Sequence, residues 1–381
     1  MTVPTRPAAT PRVAITQPYV PAYRVGLFGR VVEQLADLGV EAHVFFGGDA
    51  DQMRRRRARG DMVEVPWASE VATRVVRMGR GGRHVVHRRL PVAWRGGVLL
   101  TEMQAGNLDA VLAAARRRPF VTWGHGASYT AAEVSAAARL ESWVNRRAAH
   151  VLTYTESGRR SVLDASGLPA DRVTSFDNAT DTTELRRERA SLDAAGLRRY
   201  RASIGLPEDA VPVLVLGALN EHKLPGLVRD AALEVFRRDP RAWLLVAGDG
   251  PAAPVFRDLA DRTGRVVLLG QVGTVDVARA GAVSRLLLNP GRVGLVAVDA
   301  LALGLPVLTT DAARHAPEIE YLREGADLRT VPATAELLAE AWLDLAATRP
   351  EARSASRTLP TVEAAAEQIV RTLHGVVKDA A

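Results

Sequence analysis

A few places in the 381-residue sequence combine residue types and spacing that could do chemistry. At Asn289-Pro290-Gly291-Arg292-Val293-Gly294-Leu295 a short apolar run ends in a glycine turn, and apolar residues at helical spacing continue to Leu303. The first N–H groups of such a helix have no intrahelical acceptor, and its dipole favours negative charge. A phosphate or diphosphate is the guest that Val293, Gly294 and Leu295 would suit. At Trp123-Gly124-His125-Gly126 a histidine stands between two glycines directly after an apolar run, the position of a ligand-edge residue or of an ordinary turn. Lys223 stands out by composition: among 50 lysines and arginines only it and Lys378, in the tail, are lysine. An ammonium is a compact point charge and a guanidinium a planar fork, so the one lysine in the body is expected to meet a tight anionic contact. His315 and Glu318 follow another apolar run, Val307 to Thr310, and are expected to face the same crevice as the glycine turn.

The elements that must hold these residues follow from the apolar pattern. Arg285 to Asn289 reads as a buried strand, Val293 to Leu303 as a helix stopped by Gly304-Leu305-Pro306, and Val307 to Thr310 as the next strand. Strand, turn, helix, turn and strand within so few residues make a βαβ crossover with parallel strands, whose ligands bind beyond the carboxyl ends. The pattern also occurs earlier. Strands are expected at Arg12–Thr16, Glu41–Phe46, Val98–Thr101, Phe120–Trp123, His150–Thr155 and Arg172–Phe176, with helices ending near Leu38 and spanning Asn107–Arg117 and Ala131–Ala148. The stretch Asp51 to Gly97 gives no clear pattern. Leu185 to Asp209 reads as a helical linker, after which Val211–Leu216, Trp243–Ala247 and Val266–Gln271 are strands of a second parallel sheet.

The expected fold class is therefore α/β, with two Rossmann-like doubly wound parallel-sheet domains. The first spans 1–187 and the second 205–360, and the apolar helix 361–381 packs back on the first. The turn after the opening strand is not Gly-x-Gly-x-x-Gly, so a nicotinamide or flavin fingerprint is absent.

Composition removes several function classes. Zero cysteines exclude disulfides, thiolate metal sites and a cysteine nucleophile, and they fit a cytoplasmic protein. No apolar run reaches the roughly 20 residues that span a bilayer, and the first residues lack the apolar core of a signal peptide. A formal charge of +7 is modest for this length, and its basic run is not interleaved with stacking aromatics, so no nucleic-acid partner is expected. That run is Arg54 to Arg57, Arg59, Arg74, Arg77, Arg80, Arg83, Arg88, Arg89 and Arg95, with His84 and His87 among them. It reads either as a solvated face or as a docking face for an acidic acceptor or an anionic membrane surface, at the inner face of the membrane.

Gly294-Leu295, Asp299-Ala300, Gly304-x-Pro306-Val307 and Pro317-Glu318 resemble the sugar-nucleotide site of family-4-type retaining glycosyltransferases, glycosyl transferases group 1. The resemblance runs through roughly Arg12 to Leu185 and Val211 to Leu322. It implies the GT-B architecture of two facing Rossmann-like domains and a nucleoside-diphosphate sugar, UDP- or GDP-linked, as donor substrate, with no cofactor and no metal. The acceptor it implies is a hydroxyl of a saccharide, a lipid-linked or a small-molecule compound. Gly217 to Lys223 resembles the family's diphosphate-clamping loop, with Lys223 in place and Ala218 where an arginine is usual. Gly248-Asp249 resembles the turn near the nucleotide, Gln271-Val272 the backbone that brackets the base, and His125 the histidine beside the donor sugar. Asp299 would hold the ribose hydroxyls, as a shorter stand-in for the second of two glutamates with seven residues between them; the first falls on Gly291, which has no side chain. Two alternatives stay open: an epimerase or pseudo-glycosyltransferase of the same fold, and a non-catalytic sugar- or lipid-binding module.

Overall fold

The computed structural model describes residues 10–380, apart from 59, 61, 79–82, 127–135, 313 and 349–358, and the side chains of Arg77, Met78 and Arg83. Contacts divide the chain into two units, 1–180 with 361–381 and 181–360.

The first unit opens with β1 (Arg12–Gln17), α1 (Val25–Asp37), β2 (Glu41–Phe46), α2 (Ala50–Ala58) and β3 (Ala68–Glu70). An antiparallel hairpin follows, β4 (Thr73–Met78) with β5 (Arg83–Arg88), and then β6 (Val98–Glu102), α3 (Leu108–Ala115) and β7 (Phe120–Gly124). The described remainder is α4 (Ala136–Arg147), β8 (His150–Thr153), α5 (Glu156–Ser166) and β9 (Val173–Ser175). Seven strands form one sheet in the order β3-β2-β1-β6-β7-β8-β9, every neighbouring pair parallel. Its central strands are buried on both faces, which is why Val13 to Ile15 and Val98 to Leu100 are unbroken apolar runs. Chain order reverses between β1 and β6.

The second unit contains α6 (Thr183–Ser191), α7 (Ala194–Ser203), β10 (Val211–Leu216), α8 (Pro225–Arg238), β11 (Ala242–Ala247), α9 (Ala253–Thr263) and β12 (Val266–Gly270). It continues with α10 (Thr274–Val283), β13 (Leu287–Leu288), α11 (Val296–Leu303), β14 (Val307–Thr310), β15 (Leu328–Val331) and α12 (Ala335–Ala347). Its six strands are again all parallel, in the order β12-β11-β10-β13-β14-β15, with the reversal between β10 and β13. The stretch read as a linker belongs to this unit. Leu185 of α6 and Tyr200 of α7 are buried in one core with Leu214, Leu287 and Ala297, so the division falls at 180/181 and not after 187. The last helix, α13 (Val362–Asp379), returns to the first unit. Ala365, Ile369, Leu373 and Val376 recur at helical spacing and share a core with Leu27, Val31 and Leu35 of α1.

The stretch 51–97 lacked a readable pattern because α2 carries four successive arginines and β3 is three residues long. No helix among the described residues is long and apolar enough to cross a membrane.

Candidate functional site

At the reversal point of the second unit, loops leave β10 and β13 side by side, and such points are where open parallel sheets bind ligands. The β10 loop lies on the loop after β11. Leu219 N–H donates to Asp249 O at 2.9 Å, and a methyl group on Gly248 would come within 2.0 Å of Gly217 O. A single helical turn, Glu221–Lys223, follows; its first N–H groups are met by the Asn220 side chain, which accepts from His222 N at 3.0 Å. The turn ends at Leu224, a non-glycine residue in the left-handed region with φ 52°, and Pro225 then starts α8. Lys223 is thus held on a short, doubly anchored turn and is half-buried. Burial pulls its ammonium down to about 8, and the negative charge of Asp299, on the first turn of α11, opposes the shift.

Gly291, the position where the family carries a glutamate, has no room for a side chain. A Cβ there would stand 1.9 Å from His222 O and 2.8 Å from Lys223 Cα. Next to it Arg292 N–H donates to His222 O at 2.8 Å, so the lysine-bearing turn is seated directly on the glycine backbone. The loop is held from the sheet side too: Thr309 Oγ1 donates to Asn289 O at 2.8 Å and Thr310 Oγ1 to Pro290 O at 2.6 Å.

The helix expected from Val293 starts at Val296. Val293 itself is fully buried and its N–H donates to His315 Nδ1 at 3.1 Å, which corrects the expectation that this N–H is open to a ligand. The open donors lie one step on. Among the described residues no acceptor is paired with the N–H of Gly294, Leu295 or Val296, and their amides crown α11. His315 is likewise reassigned. With Nδ1 accepting from Val293, Nε2 must carry the proton, and it donates to Thr310 O at 3.2 Å. Burial pushes its pKa down, against the hydrogen bond to Thr310 and with the help of the Arg292 charge. Both ring nitrogens are occupied, so His315 positions the glycine turn and does not offer a free donor to a sugar. Glu318, in the turn Pro317–Tyr321, is buried, and its Oε2 would lie 4.0 Å from a methyl placed on Gly294.

The other sequence candidates stand at carboxyl ends of the same sheet. Gly248 and Asp249 follow β11, with Asp249 exposed; Gln271 and Val272 follow β12, with Gln271 exposed and Val272 packed partly into the core. Among the described residues no group of three or more His, Asp or Glu side chains could hold a metal ion.

His125 belongs to the first unit, immediately after β7. Its ring lies 4.7 Å from that of Tyr154, which in turn meets Trp123 and Phe176 edge-on at 5.9 and 5.4 Å. The basic run does not form one surface. Arg88 is buried and donates to Asp109 Oδ2 at 3.0 Å and Gly47 O at 2.9 Å, so it is an internal brace and no part of a docking face. Arg54 pairs with Asp51 and Arg57 with Glu70 on the exterior, while Arg74, Arg89 and Arg95 are exposed. Arg59 and Arg80 lie outside the described residues. Sequence reasoning passed over Arg24, Glu102 and Asn107 in this unit. Glu102 carried the same signal as His125, a polar residue directly after a buried strand.

Residues 211–348 match the family model of Glycosyl transferases group 1. Over 200 residues the chain is 28% identical to D-inositol 3-phosphate glycosyltransferase 2 of Catenulispora acidiphila, a match covering 49% of this chain and 45% of that protein. The chain thus spans about half the length of that relative. Among solved structures, HepE of Anabaena in complex with UDP superposes with a TM-score of 0.59 at 15% identity, over 97% of this chain and 98% of that one. The UDP-GlcNAc 2-epimerase of Neisseria meningitidis bound to UDP-GlcNAc gives 0.60 at 12% identity, over 96% and 100%. These likenesses place the two parallel-sheet units in the GT-B fold.

Proposed function

From a C-terminal unit whose residues 211–348 match the family model of Glycosyl transferases group 1, we propose that this chain moves a sugar from a nucleoside-diphosphate donor to an acceptor hydroxyl. The observation that carries the reading is the pairing of a half-buried lysine with three open backbone N–H groups at the reversal point of one sheet. When the bond from the anomeric carbon to the diphosphate breaks, negative charge grows on the leaving oxygens. Lys223 and the N–H groups of Gly294, Leu295 and Val296 are fixed donors for that charge, and such pre-aimed donors contribute about 3–4 kcal/mol each. UDP, present in the HepE structure and as part of UDP-GlcNAc in the epimerase, is the first nucleotide to test, and GDP the second.

In this reading Asp299 takes the ribose hydroxyls, while Gly248, Asp249, Gln271 and Val272 border the nucleotide. Glu318 serves the donor sugar's hydroxyls in the absence of a carboxylate at 291, and His125 contacts the transferring sugar. Retention of anomeric configuration and independence from metal ions follow from the resemblance and form part of the proposal. A saccharide, lipid-linked or other small hydroxyl compound is the acceptor class. The epimerase neighbour, at an equal fold likeness, supports a second reading in which the same diphosphate site releases and recaptures UDP without an acceptor.

The test is nucleotide release from UDP- and GDP-sugars, with and without an acceptor panel, in the presence of EDTA. Transfer predicts release that depends on acceptor and yields a glycoside. An epimerised donor with no glycoside would select the second reading, and binding of nucleotide without turnover would select a non-catalytic module.

A further inference from the structure

The loop after β13 carries an arginine that the diphosphate cradle, as built so far, does not use. Arg292 stands between Gly291, whose backbone seats the lysine-bearing turn, and Val293, which is fully buried. Its own N–H donates to His222 O at 2.8 Å, and its carbonyl accepts from Asn289 Nδ2 at 3.2 Å. The backbone is thus pinned on both sides while the side chain is exposed. Arg292 is planted between the turn that holds Lys223 and the open N–H groups of Gly294, Leu295 and Val296.

Its charge is felt on the crevice side of the loop. It helps to depress the pKa of His315, whose ring lies between the N–H of Val293 and the carbonyl of Thr310, at the carboxyl ends of the strands. Arg314 is also exposed and is next to His315 in sequence, yet its charge does not enter that balance, so nearness along the chain is not the cause. No carboxylate answers Arg292: among the described residues its guanidinium has no hydrogen bond and no ion pair. The cradle, meanwhile, is short of positive charge. A donor diphosphate brings two negative charges, and a third develops as it leaves. Against them stand neutral N–H groups and one ammonium, set at about 8 by burial and already opposite Asp299. Ala218, exposed on the β10 loop, adds no charge. A guanidinium presents a planar fork of donors that pairs two at a time with phosphoryl oxygens, a different contact from the point charge of an ammonium.

We propose that Arg292 is the second cation of the diphosphate cradle, closing from the β13 loop on the phosphoryl oxygens that Lys223 meets from the β10 loop. The identity of the anion rests on the donor reading above. The anion-binding role of Arg292 rests on the geometry of this loop and is tested separately from it.

The full chain is titrated calorimetrically at neutral pH with UDP, GDP, uridine and inorganic pyrophosphate. Arg292→Ala should weaken UDP and pyrophosphate by at least about tenfold, the effect of losing one charge-assisted pair, and leave uridine as it is. Arg292→Lys, which keeps the charge and loses the fork, should weaken them by a smaller factor. Arg314→Ala should bind UDP as the wild type does. The gap between wild type and Arg292→Ala should narrow as salt is added, because the lost contact is ionic and exposed, whereas a merely structural defect would persist. Unchanged UDP and pyrophosphate affinity in Arg292→Ala, an equal loss for uridine, an equal loss in Arg314→Ala, or a gap that salt does not alter would each overturn the assignment. If Arg292→Ala loses its thermal transition, the Lys variant decides. A wild type that binds neither UDP nor GDP would count against the donor reading, and pyrophosphate would then decide Arg292 by itself: bound by the wild type and lost in the variant, it upholds the cation, and not bound at all, it overturns it.

Discussion

Replacing Gly291 by alanine should damage the donor site severely for so small a change. A Cβ at 291 would sit 1.9 Å from His222 O, and real contacts of this kind stay beyond 3.0 Å, so the turn carrying Lys223 must retreat by more than about 1 Å. Its retreat stretches the 2.8 Å bond from Arg292 N–H to His222 O, whose loss costs about 0.5–1.5 kcal/mol, and the crowding itself adds about 1–3 kcal/mol. The functional loss should exceed what stability alone would give, because a misplacement near 1 Å of a group that stabilises developing charge lowers turnover about 10²-fold. Gly291→Glu, which would rebuild the family's usual residue, should for the same reason fail to improve donor use. The assay is thermal melting followed by steady-state transfer at temperatures where both proteins are folded. Wild-type melting and a wild-type donor constant in Gly291→Ala would refute the claim that the turn is seated on this glycine.

Lys223→Ala should keep the fold and lower transfer by about 10²–10³, and Lys223→Arg should also impair it, since a planar fork does not fit a contact shaped for a point charge; transfer kinetics on the purified variants check both. Because burial sets Lys223 near 8, below its unfolded value of 10.5, the ammonium is lost as pH rises through about 8, and kcat/KM for donor should fall there. A bound diphosphate holds the proton, so kcat should persist to higher pH; in the window from about 8 to 10.5 the unfolded chain binds more protons than the folded one, so this group makes stability rise with pH. Glu318→Ala should raise the donor constant or lower turnover by more than tenfold, measured against several UDP- and GDP-sugars, and unaltered kinetics would remove it from sugar recognition.

The parallel sheets were legible because buried strands such as Val211–Leu216 are continuous apolar runs, and the run-turn-helix rhythm around 289–310 is strong. The hairpin Thr73–Met78 with Arg83–Arg88 was not, since its register puts Arg74 opposite His87 and Arg77 opposite His84, basic pairs that interrupt any apolar alternation. The helix start was misread by three residues because apolar spacing ran through Val293, whose burial comes from the loop and not from a helix face. His315 looked like a ligand contact for want of any sign in the sequence that its two nitrogens meet backbone groups of Val293 and Thr310. Composition alone singled out Lys223, but its half-burial depends on a turn that no spacing rule describes.

The departure from the family pattern at Gly291 has a physical cause. A glutamate at 291 and the turn 221–223 in its present place exclude each other, since the carbonyl of His222 occupies the space that any Cβ would need. The chain keeps the turn, and with it a lysine half-buried beside Asp299, and gives up the side chain. What remains fixed for an anion is one ammonium and three backbone N–H groups, held by bonds that the sheet itself anchors through Thr309 and Thr310. None of these four donors distinguishes one sugar from another. Discrimination among donors must then come from groups outside the diphosphate cradle, and Glu318, whose Oε2 would lie 4.0 Å from a methyl on Gly294, is a carboxylate in place for it. A Glu318→Gln variant separates these roles. It should relax the choice between epimeric UDP-sugars severalfold while leaving the affinity for UDP itself as it is, and a parallel loss of UDP affinity would show that the carboxylate serves the cradle instead.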